Sequence, residues 1–106
     1  MRWKVLGQEA VSSLESEWTP ATGFFWKLRQ GEFDPHAFVR TLEALRRIEV
    51  RNGAQLPRRL VSLLWYGPLV MEWNAHRVQL SGSVTAEYVA AAAAITNEIE
   101  RLLGVP

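Results

Sequence analysis

The sequence predicts a mostly α-helical protein, a compact single-domain bundle of about five helices spanning residues 1–106. Three observations carry that reading. Residues 85–103 combine apolar positions at helical spacing with the run Ala90–Ala94, the residue of highest helix propensity. Asp34-Pro35 joins a good N-cap to the residue preferred at the first helical position. Gly31, Gly53, Gly67 and Gly104 each follow an apolar-periodic segment, where glycine commonly ends a helix.

The first stretch divides in two. Trp3-Lys4-Val5-Leu6 reads as a short strand or an ordered lead-in. Val11, Leu14 and Trp18 then share one helical face, which predicts a helix from about Gln8 to Trp18, closed by Thr19-Pro20 because the pre-proline position disfavours helix. A short helix follows over about Thr22 to Gln30, with Gly31 as its C-terminal glycine. In the next helix Phe33 and Phe38 occupy the two positions of a hydrophobic staple around Asp34. Phe38, Leu42, Leu45 and Ile48 or Glu49 trace its apolar face; Arg46, Arg47 and Arg51 complement its negative end, and Asn52-Gly53 stops it.

Pro57 opens a helix to Tyr66 that Gly67-Pro68 is expected to end. Residues 69–80 fit two templates. A helix suits Leu69, Val70, Trp73 and Leu80; a hairpin suits the alternation Leu69, Met71, Trp73, then Val78 and Leu80. Asn74-Ala75-His76 lacks the glycine of a tight hairpin turn, so helix is preferred. The last helix, Thr85 to Leu103, has Thr85 as N-cap and Val84 with Val89 as staple. Tyr88, Ala92, Ile95, Ile99 and Leu102 form its stripe, and Gly104 stops it.

Composition bounds the function. Twelve basic and 11 acidic side chains leave a formal charge of +1, which supplies no global field to draw nucleic acid or an anionic membrane. Locally, residues 51–80 carry net +3 and residues 81–106 net −2. No cysteine is present, which excludes disulfides and thiolate metal sites. No apolar run approaches the roughly 20 residues of a spanning helix, and Met1 to Val11 lacks a signal-peptide core. A cytoplasmic protein is expected.

Catalytic chemistry is hard to find. His36 and His76 are far apart, with no HxxxH or HxxE spacing to hold a metal. The serines lack nucleophile-elbow surroundings, and the glycines form no phosphate-cradling loop. Glu15 and Glu17, like Glu98 and Glu100, lie two apart and diverge on a helix. Read as a recognition helix, Pro57 to Tyr66 has too few polar positions to address base edges. The expectation is a non-enzyme without cofactor or metal that binds neither nucleic acid nor membrane. Against that poverty stand five tryptophans, Trp3, Trp18, Trp26, Trp65 and Trp73. Trp26 and Trp65 lie in dense apolar runs and read as core; Trp18 and Trp73 flank polar residues and read first as core or boundary, with an exposed anchor as the alternative for each.

Three segments carry a family likeness: Gly23-Phe24-Phe25-Trp26-Lys27-Leu28-Arg29-Gln30-Gly31-Glu32-Phe33-Asp34, then Leu64-Trp65-Tyr66-Gly67-Pro68-Leu69-Val70-Met71-Glu72-Trp73, then Leu103-Gly104-Val105-Pro106. The chain resembles small bacterial immunity proteins of contact-dependent growth inhibition and related polymorphic toxin systems. The resemblance implies a cytoplasmic protein that binds and neutralises the toxic C-terminal domain of a cognate effector. Many such domains are nucleases, whose partners are often acidic, and the +1 balance departs from that pattern. Local carboxylates beside an aromatic are then the expected contacts: Glu15, Glu17, Trp18, Glu32, Asp34, Glu72 and Trp73. The rival reading is a structural or regulatory helical interaction module, a homodimer packed through its alanine-rich helix.

Overall fold

The computed structural model describes residues 9, 11–51, 55–80 and 85–106, with the side chain of Leu80 excepted. The expectations for Trp3–Leu6, for a start near Gln8, for Asn52-Gly53 and for Val84 lie outside the described residues. Among those described, the elements are helices and none is a strand. We number them α1 (helical over residues 11–16), α2 (Phe24–Arg29), α3 (Pro35–Arg46), α4 (Arg58–Leu80) and α5 (Thr85–Leu103). The long α4 packs on α2 and α5, α5 packs on α3, and α2 touches α3.

The six-residue α2 is far too short to hold itself together, and both of its ends are tied. Its N-cap, Gly23, has no capping side chain; Glu17 reaches across instead. The Phe24 N–H donates to Glu17 Oε1 at 3.1 Å and the Phe25 N–H to the Glu17 carbonyl at 2.8 Å. The Glu17 side chain is 2% exposed, and Arg40 of α3 engages both of its oxygens at 2.7 and 2.8 Å. That pairing raises the Arg40 pKa above its ordinary value. At the other end Gly31 takes φ +84°, the left-handed conformation that a side chain resists. Its N–H donates to Leu28 O and the Glu32 N–H to Lys27 O, each at 2.9 Å, which closes a Schellman turn.

The start of α3 follows its sequence signals. Asp34 Oδ1 accepts from the His36 and Ala37 N–H groups at 3.0 and 3.2 Å, and Oδ2 receives Lys27 Nζ at 2.6 Å. The hydrogen bond from Lys27, with the two backbone donors, pulls the Asp34 pKa below the usual range. The staple rings of Phe33 and Phe38 stand 6.0 Å apart, with Phe38 half-buried rather than enclosed. Phe24, Phe33 and Tyr88 extend this cluster across α2, α3 and α5.

Two helix ends differ from expectation. First, α3 stops at Arg46, six residues before Asn52. Arg101 of α5 supplies the reason. Its guanidinium donates to Leu45 O at 3.1 Å and Ile48 O at 3.3 Å, while Nε is held on Glu98 at 2.8 Å. A side chain 56 residues away from Leu45 therefore adds a second donor to Leu45 O, which the Ile48 N–H already meets, and supplies one to Ile48 O, where a longer helix would have used its own backbone.

Second, Gly67-Pro68 does not end a helix; α4 runs through it for 23 residues, and the hairpin alternative is excluded. Pro68 lacks the N–H that Leu64 O would accept, a loss of about 3 kcal/mol in an isolated helix. Packing offsets it. A Cβ built on Gly67 would lie 3.3 Å from the Phe25 ring, so the bare glycine lets α2 close on α4 beside the proline, while Ile99 of α5 sits at ordinary contact distance. Val70, Met71, Asn74 and Val78 continue the buried face beyond it. The predicted limits of α5 hold, although Thr85 is its first helical residue and Ala91 lies deeper than Ala92.

Two predictions test this framework. Arg40→Ala should cost roughly 2–4 kcal/mol, towards the low end because much of Arg40 stands in water. Adding Glu17→Gln should restore part of the loss, since a neutral amide tolerates burial and still accepts from Phe24. Denaturant melts that leave the double variant no more stable than Arg40→Ala would show that the buried charge is not the source. Second, Tyr88 is buried, its hydroxyl donates to Met71 O, and burial pushes its pKa up to about 12. A raised pKa leaves stability intact below the unfolded value near 10 and erodes it between there and about 12, because only the unfolded chain ionises. Melting temperature should fall across that window, and more gently in Tyr88→Phe.

Candidate aromatic interface

The inward side of α4 is settled by Leu60, Leu63, Leu64, Val70, Met71, Asn74 and Val78, all buried. At 3.6 residues per turn the opposite side comprises Ser62, Trp65, Tyr66, Leu69, Trp73 and His76. An amphipathic helix normally carries charge there. Here Trp65 and Trp73 are each 62% exposed, Tyr66 46% and Val61 38%. Trp65 is thus not a core residue: its neighbours Leu63 and Leu64 hold the inward positions and turn it out. The Tyr66 and Trp73 rings meet edge to face at 6.4 Å, so the surface is partly organised before any partner arrives.

On the α2 side this surface runs into a cleft of about 300 Å³ lined by Trp18, Arg29, Arg59, Ser62, Leu63 and Tyr66. Trp18 is half-buried and stacks on Phe25 at 4.6 Å, and the Arg29 guanidinium lies 5.3 Å from its ring centre. Its indole Nε1 is buried with no hydrogen-bond partner. Arg77 Nη1 donates to Arg29 O at 3.0 Å and ties the C-terminal half of α4 to the end of α2.

The seven predicted contact residues are scattered. Glu17 has both oxygens spent inside the fold, and Asp34 caps α3 and binds Lys27. Glu32 is exposed just beyond the turn at Gly31. Glu15 meets Arg59 at 3.4 Å near the start of α4. Glu72 lies 13 residues further along the same helix than Arg59, about 20 Å at 1.5 Å per residue. No acidic patch results. Trp73 and Glu72 belong to the aromatic surface, with Trp18 at its edge. Trp65, Tyr66 and Arg29, which belong to this surface and its cleft, were not among the seven, although the spacing of 62, 65, 66, 69 and 73 was a readable signal once α4 was known to be continuous.

Two other concavities exist among the described residues. A polar one of about 300 Å³ surrounds Glu17 and Arg40, which serve the fold. An apolar one of about 400 Å³ lies between α3 and α5, over Phe33, Phe38, Val39, Leu42 and the alanines of α5. Among the described residues no three His, Asp or Glu side chains gather as a metal site, and no helix is long and apolar enough to cross a membrane. No protein-family model matches the chain, and no curated protein or solved structure was found to be similar.

Removing an exposed ring should leave the fold intact. Trp73→Ala should change stability by less than about 1 kcal/mol and remove a large part of the acrylamide-quenchable fluorescence. A cooperative loss of structure in this variant would place Trp73 in the core.

Proposed function

We propose that this chain is a non-enzymatic immunity protein, acting in the bacterial cytoplasm, that binds and neutralises the toxic C-terminal domain of a cognate effector. The observation that carries the reading is the exposed aromatic face of α4, where Trp65, Tyr66 and Trp73 stand together on a single helix. Tryptophan, tyrosine and arginine dominate binding hot spots, and a large exposed apolar patch marks an interaction site. The resemblance to immunity proteins supports the same reading from the sequence. Its segment Leu64–Trp73 is this face, and its segment Gly23–Asp34 holds the α2 that borders it. A rigid helix face loses little conformational freedom on binding, which suits an inhibitor that must act tightly.

The α3–α5 groove and the exposed Val89 favour one rival, a homodimer packed through α5. Co-expression with the C-terminal domain of the effector encoded next to this gene decides between them. The proposed function requires a stable complex of the two chains and rescue of growth from the toxin. An adjacent effector that kills unchecked, with a chain that scatters light as a dimer, would favour the rival.

A further inference from the structure

The outer face of α4 carries more basic than acidic groups. By helical geometry Arg59, Tyr66 and Arg77 fall along its α2 side, Arg58, Trp65 and Glu72 along its far side, and Ser62, Leu69 and Trp73 between. α2 adds Arg29 to the basic side, in one cleft with Arg59, Trp18 and Tyr66. Among the described residues, neither Arg29 nor Arg77 is ion-paired. Arg59 meets only Glu15, at 3.4 Å, with side chains 60% and 46% exposed. A pair so wet leaves the guanidinium free to exchange partners.

We infer that the protein seated on α4 presents an apolar ridge rimmed by carboxylates. The ridge lies over Trp65, Tyr66 and Trp73, and the carboxylates enter the cleft between Arg29 and Arg59. This rests on the proposed function and names the chemistry of the surface that is met: an acidic one, not a cationic groove that binds nucleic acid. Planar guanidiniums suit carboxylates because they offer two parallel donors. Trp18 supports Arg29 from below with its ring and leaves the donors free. A single-stranded nucleic acid also uses rings and arginines, but a phosphate backbone laid along this face would run against Glu72. The overall charge of +1 adds nothing to draw it in.

The test titrates the full chain and its variants against the neighbouring effector's C-terminal domain at low and high salt, after melting curves confirm that each variant is folded. Arg59→Glu should weaken binding at least about tenfold, chiefly by slowing association, and should flatten the salt dependence. Trp73→Ala should weaken it at least about thirtyfold, chiefly by speeding dissociation. Glu32→Gln should change little. If the parent chain binds but Arg59→Glu is silent while Glu15→Gln or Glu32→Gln costs affinity, the acidic groups make the contact; the inference falls and the function stands. If the parent chain does not bind, both fall. Saturable binding of a single-stranded oligonucleotide that Trp73→Ala abolishes, or a dimer that Trp73→Ala dissociates, would assign the face to another occupant and overturn the inference.

Discussion

The contact on which the rest of this structure depends is the buried carboxylate of Glu17. It sits where α1, α2 and α3 meet, and it answers three demands at once. It supplies the cap that Gly23 cannot, it neutralises itself against Arg40, and through its carbonyl it fixes the next N–H of α2. Arg40 closes the corner by donating to Thr22 O at 2.9 Å as well. A carboxylate this deep would be intolerable without those partners. With them it holds a helix of under two turns in one orientation, and that helix carries Phe25, which seats Trp18, and Arg29, which lines the cleft. The route from core electrostatics to the aromatic surface is therefore short.

The same surface depends on a compromise inside α4. A proline in mid-helix forfeits a hydrogen bond, and the glycine before it lowers helix propensity further. Neither residue is there for the helix. The glycine thins α4 where the Phe25 ring presses on it, and that packing offsets part of what the backbone gives up. The residues on either side, Trp65-Tyr66 and Trp73, then project from one continuous rod. A break at Gly67-Pro68 would have set them on separate elements, with no fixed distance between them.

What could be read from the sequence is what neighbouring residues decide. The cap at Asp34, the staple at Phe33 and Phe38, the turn at Gly31 and the limits of α5 all rest on contacts within a few positions, and all appear as expected. The end of α3 and the continuity of α4 rest on partners far along the chain, Arg101 in one case and Phe25 with Ile99 in the other, so local rules misjudged both. The site followed the same division. Trp73 stands among polar residues, which admitted an exposed anchor but did not decide it over a boundary position. Trp65 lies in Leu63-Leu64-Trp65-Tyr66, where apolar density hides which side each residue takes. Glu17 looked like one more surface acid because its partner Arg40 is 23 residues on.

The grip of Arg101 on α3 also imposes an order of events on a chain made from its N-terminus. All of α3 has been made by residue 46, yet Leu45 O, already met by the Ile48 N–H, gains its second donor only from a residue made 55 steps later. At about 5–20 residues per second that is an interval of several seconds. During it the newborn chain carries an uncovered α3 flank, and α4 lacks its α5 neighbour. The fold is therefore completed late, when α5 arrives.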